Sequence, residues 1–133
     1  MSEEFKTHLD GIKFEKYLSK LNKRLKNKTV VIYGTGAFFK YIKENYDLGK
    51  LNIIGISDMK FALEDENKDF LGYKIIPKEK IKEYNPDVVL VATLKYISII
   101  EDFEINYFDK TKTKVYPLAR IPLWDLIKEI WAR

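Results

Sequence analysis

The stretch TVVIYGTGAFFKYIKENY, running from Thr29 to Tyr46, constrains the fold more than any other part of this sequence. An apolar run over Thr29–Tyr33 ends in Gly34-Thr35-Gly36, and an amphipathic segment begins at once. Such apolar continuity suits a strand covered on both faces, and a glycine turn lets that strand feed a helix directly. A unit of this kind needs neighbouring strands, which the rest of the chain has to supply.

The supply is visible downstream. Leu51 to Asp58 (LNIIGISD) reads as a second buried strand, and GYKIIP as a short third one. Pro77 suits the first position of a helix running through Tyr84. Val88–Ala92, inside NPDVVLVAT, is the most continuous apolar run, and a helix over about Tyr96 to Phe103 follows it. KVYPL is a last strand, and Pro122 opens a final helix. Between these, KFALEDENKDF reads as a charged loop, and Gly49 is expected to close the helix after the glycine turn in a left-handed conformation. In front, a helix over about Asp10 to Asn27 places Phe14, Tyr17, Leu18, Leu21 and Leu25 on one face.

The expected class is therefore α/β. The alternation predicts a single Rossmann-like three-layer domain over residues 1–133, with an N-terminal helical extension at 1–28. Right-handed crossovers predict a mainly parallel sheet of about five strands in the order 3-2-1-4-5. Val30–Tyr33 and Val88–Ala92 should be neighbours at its centre.

Composition narrows the chemistry. The chain has 133 residues, 46% of them apolar, which is enough for one domain with a real core. It has no cysteine, and His8 is its one histidine, so disulfides, thiolate metal sites and histidine clusters are excluded. No run approaches the roughly 20 apolar residues that span a bilayer, and the polar MSEEFKTHLD start is not a secretory signal. A cytoplasmic protein is expected. The net charge of +4 is concentrated in Ile12 to Lys28. Without arginine clusters or a reading motif, nucleic acid is not the expected partner, and a surface helix is preferred to a membrane-bound one.

The glycine turn is the candidate site. Binding phosphate there requires close backbone approach, free amides and the positive end of a helix dipole. Gly34 and Gly36 give the first, the amides near Gly36, Ala37 and Phe38 the second, and the Thr35 hydroxyl an additional donor. The glycines can equally serve the turn alone. The dinucleotide pattern G-x-G-x-x-G is incomplete, because Phe39 stands at its third glycine and should displace the helix or rearrange the loop. Asp58 ends the second strand, where a carboxylate can meet ribose hydroxyls or simply cap a loop. Thr93 and Lys95 follow the central strand, at the sheet edge where ligands bind. Thr93 can also cap the next helix. No base, orienter and cleft come together, so no catalytic residue is assigned. The acids at Glu64-Asp65-Glu66 and Glu101-Asp102 read as solvated.

The motifs VVIYGTGAFFKYI, IIGISDMK, FLGYKIIPKEKI and NPDVVLVAT, over about Thr29 to Thr93, resemble Rossmann-like N-terminal domains of bacterial sugar-modifying proteins. These include sialic-acid-type nucleotide-sugar acetyltransferases and CapD-like polysaccharide biosynthesis proteins. The resemblance implies a stand-alone binding module for a nucleotide or nucleotide-sugar such as a UDP-sugar, linked to surface polysaccharide and either working with a catalytic partner protein or left as a remnant of a larger enzyme. Gly34, Thr35 and Gly36 would then face the diphosphate, with Asp58 near the ribose or base. An NAD(P)-dependent oxidoreductase is the second reading, and a ligand-free structural domain the third. Leu123, Trp124, Leu126, Ile127, Ile130 and Trp131 cover more than one helical face, which predicts a homodimer through 122–133.

Overall fold

A computed structural model describes residues 2–108 and 111–120. Four parallel strands form the main sheet: β1 (Thr29–Tyr33), β2 (Asn52–Ser57), β5 (Val88–Val91) and β6 (Lys114–Pro117), in the order β2-β1-β5-β6. The two continuous apolar runs lie side by side at its centre, with Val30 opposite Val88 and Tyr33 opposite Val91. Each is buried on both faces, as their composition requires.

Helices cover both faces. On one lie α1 (Ser2–Gly11), α2 (Phe14–Arg24) and α3 (Ala37–Asn45). Leu9, Phe14, Leu18, Leu21 and Leu25 join Phe38, Phe39 and Ile42 there, over Val30 and Ile32 of β1. On the other face, α4 (Ile81–Tyr84) and α5 (Ile97–Asp102), the latter continued by a π-helical turn at Phe103–Tyr107, bring Ile81 and Phe103 against Val31, Val89 and Val91. The fold is thus a three-layer α/β domain of Rossmann-like topology.

Four expectations need correction. The N-terminal segment is two helices, because Lys13 adopts the left-handed region (φ 55°) and breaks the chain between α1 and α2. The third strand is reduced to one parallel bridge, Ile75 to Ile56, so the main sheet has four strands. Its chain is diverted on both sides: Tyr73–Lys74 (β4) pairs antiparallel with Asp69–Phe70 (β3), and Pro77 starts a 3₁₀ turn at Lys78–Lys80 that runs into α4. That leaves the 3-2-1-4-5 order intact, with position 3 held by a single residue pair. Gly49 does not close α3. The helix ends at Tyr46 in extended conformation, and the Gly49 amide donates to Asp47 Oδ1 at 2.8 Å. The charged loop after Asp58 also carries structure, a 3₁₀ turn at Leu63–Asp65 and strand β3. The helix expected from Pro122, and the dimer surface assigned to it, lie outside the described residues.

Candidate functional site

The carboxyl ends of β1, β2 and β5 bring Gly34, Thr35, Asp58 and Thr93 together. Gly34 follows β1 with φ +108°, donates its amide to Ser57 O at 2.9 Å, and lies against the end of β5. A Cβ on it would come to 3.0 Å from Thr93 Cγ2 and 3.1 Å from Ala92 O. Backbone conformation and packing both require glycine here.

Gly36 is different. Its φ of −80° and ψ of −163° are open to any residue, and a Cβ placed on it meets nothing within 4 Å. It is the N-cap of α3, a position that glycine shares with Ser, Thr, Asp and Asn, but unlike them it supplies no side-chain acceptor. The first amides of α3 therefore have no intrahelical partner, and Gly36 and Ala37 are exposed. Phe38 and Phe39 turn inward: their side chains are buried in the core below the turn. The phenyl ring at the missing third glycine fills core volume, 6.4 Å from the Tyr73 ring.

Thr35 and Asp58 lock the turn. The Thr35 amide and hydroxyl both donate to Asp58 Oδ2, at 2.8 and 2.9 Å, and the Lys60 amide donates to Oδ1 at 3.2 Å. The hydroxyl expected as an additional phosphate donor is thus committed to a carboxylate, on a fully buried residue. Partial burial pushes the Asp58 pKa up, but the donors from Thr35 and Lys60 outweigh it and leave the carboxyl below its ordinary value. Asp58 is charged at neutral pH and half-buried beside the turn. Thr93 Oγ1 donates to Lys95 O at 3.3 Å, and Lys95 is exposed.

Beyond Asp58 the structure adds residues that periodicity did not single out. Phe61 and Phe70 meet edge to face at 5.4 Å, with Lys60 Nζ 4.6 Å and Lys40 Nζ 5.8 Å from the Phe70 ring. Both rings are half-buried, so they form an aromatic surface flanked by cations next to the Asp58 lock. The one sequence signal was the presence of two phenylalanines in an otherwise charged loop.

On the opposite face, Ser57 is fully buried, and its hydroxyl finds no hydrogen-bond partner among the described residues. Its register neighbour Tyr33 packs edge to face on Phe103 at 4.9 Å. Lys78 lies over the rings of Tyr33, Phe103 and Tyr107 and pairs with Asp102 at 3.0 Å. Burial lowers the Lys78 pKa, but Asp102 and the tyrosines outweigh it and raise the net value, so this amine is a cation and not a nucleophile.

Three acids of the two paired-acid stretches have local partners. Asp65 accepts from the Ala62 amide and pairs with Lys68, Glu66 accepts from Tyr84 Oη, and Asp102 holds Lys78 and Asn106. Among the described residues no three His, Cys, Asp or Glu side chains form a metal-binding group, and no helix is long and apolar enough to cross a membrane. Two cavities, of about 550 and 650 Å³, lie along α2 rather than at the glycine turn. Exposed helix amides bind an anion from an open surface, so the turn does not depend on an enclosed cavity.

Comparison with known proteins gives a family and one solved structure. The family model described as C2185-like, N-terminal, matches residues 26–115. No curated protein matches the chain. A crystal structure of RSP in complex with beta-NAD+ and operator DNA is similar with a TM-score of 0.45 and 14% sequence identity. The match covers 90% of this chain and 63% of that one.

Proposed function

We propose that this chain, which belongs to the C2185-like N-terminal family through residues 26–115, is a binding module for a nucleotide-type diphosphate. The observation that carries the reading is Gly36: a glycine that neither backbone nor packing requires, at the uncapped start of a helix. A side chain at that position would cap α3 and cover its amides. Its absence leaves those N–H groups and the helix dipole open to an anion.

The diphosphate sits against the Gly36, Ala37 and Phe38 amides, with Lys40 contributing charge from the first turns of α3. The base stacks on the Phe61–Phe70 pair, and the ribose reaches the side of Asp58 left by the Thr35 lock. The resemblance over about Thr29 to Thr93 favours a nucleotide-sugar such as a UDP-sugar over NAD(P), with a separate protein performing the sugar chemistry.

Titration calorimetry with UDP, UDP-N-acetylglucosamine, NAD and CoA tests the proposal. A uridine nucleotide should bind below millimolar concentration, and Gly36→Val should abolish that binding in folded protein. If none of the four binds folded protein, the proposal fails: Gly34 then serves the turn, and Gly36 holds no phosphate.

A further inference from the structure

Away from the glycine turn, one side of α2 is lined by cations. Lys13, Lys16, Lys20 and Arg24 recur at helical spacing beside Tyr17, and Arg120, just beyond β6, closes the far wall of a cavity of about 550 Å³. Among the described residues, no acidic side chain lines it. None of these five side chains enters an ion pair among the described residues, although five other pairs do form there. Lys16, Lys20 and Arg24 stand four residues apart, where like charges repel along a helix. An anion in the cavity would relieve that repulsion.

The two arginines are held in place by rings. Arg24 Cζ lies 5.0 Å from the Tyr116 ring centre, and Arg120 Cζ 5.8 Å from that of Tyr17. Tyr17 is itself fixed, donating its hydroxyl to Pro117 O at 2.6 Å, and His8 Nε2 lies 3.3 Å from Arg120 O. Stacking on a ring leaves the N–H edge of a guanidinium free for oxyanions.

From this arrangement we propose a second ligand site, for a small polyanion bearing two or more linked phosphates. The class follows from size and spread. Lys16 to Arg24 alone covers about 12 Å of helix at 1.5 Å per residue, too long for one phosphate to engage. The concave volume lies in the range of about 300–1,000 Å³ typical of small-molecule sites, which disfavours a duplex lying across a surface. The site uses none of the groups assigned to the nucleotide.

Inorganic tripolyphosphate is the probe, titrated calorimetrically at low salt into wild type, Gly36→Val and the double variant Lys16→Glu/Lys20→Glu. Wild type and Gly36→Val should bind with affinities within threefold of each other, and the double variant at least tenfold more weakly. Lys16 and Lys20 are exposed, so the fold should tolerate both changes. Arg120→Gln, also expected to lose affinity, gives the same reading if it does not. Equal affinity in the charge variants overturns the proposal, and so does loss of binding in Gly36→Val. A DNA duplex that binds through Lys16 and Lys20 more tightly than tripolyphosphate would overturn the small-molecule assignment.

Discussion

Replacing Gly36 with serine should make the protein more stable and a poorer ligand binder at once. The backbone at Gly36 is already extended, and a Cβ there meets nothing within 4 Å, so the substitution introduces no strain. A serine N-cap is worth a few tenths of a kcal/mol over glycine in net stability, the restricted unfolded chain included. At about 2.1 cal/mol/K per residue, 133 residues give an unfolding entropy of roughly 280 cal/mol/K, so Tm should rise by about 1–2 °C. The new hydroxyl caps the helix by accepting from the Phe38 amide, which removes a donor from the proposed phosphate site. One hydrogen bond to a charged group is worth about 1.5–3 kcal/mol, so UDP affinity should fall roughly ten- to a hundredfold. Calorimetry of unfolding and of binding on the same preparation reads both effects. A lower Tm would show that the fold itself needs the glycine. A higher Tm with unchanged UDP affinity would show that these amides hold no ligand, and would refute the reasoning.

Two further substitutions probe the carboxylates that tie strand ends together. Asp58→Ala leaves the buried Thr35 amide and hydroxyl without an acceptor; it should cost about 1–3 kcal/mol, which urea unfolding at pH 7 would detect, while Asp58→Asn should cost less. Equal stability of Asp58→Ala and wild type would mean that the lock does not hold the turn. Asp87 accepts from the Thr29 amide and hydroxyl and from Lys112, and the Thr29 bond followed by Lys112 holds its pKa at about 2. Because the folded value lies below the unfolded one of about 3.9, its contribution is complete above pH 4 and disappears as pH falls towards 2. Asp87→Asn should therefore flatten the urea midpoint against pH in that window. An undiminished slope would assign the acid sensitivity to other carboxylates.

Much of this architecture is legible in the linear sequence, for a simple reason. Val30–Tyr33 and Val88–Val91 are apolar without interruption, and only a strand covered on both faces can bury every position of such a run, so their central pairing follows from composition. The buried face of α2 is equally local, since Phe14, Leu18, Leu21 and Leu25 recur at helical spacing. The position of the glycine turn belongs with these, because it is the junction of two such patterns.

What tertiary structure alone decided depends on groups distant in the chain. Gly34 and Gly36 look alike in sequence, but contact with Thr93 at the end of β5 makes the first obligatory, and open solvent leaves the second optional. Asp58 finds its main partner in Thr35, 23 residues earlier, so no local spacing could announce that its carboxylate would hold the turn. The third strand had the composition of a strand but lost its register to a β3–β4 hairpin on one side and to Pro77 on the other. In the same way, the basic run of α2 becomes a cavity only because the chain returns after β6 to set Arg120 opposite it. Periodicity reports which faces of an element must be buried, but the partner that meets each face is chosen only when the whole chain packs.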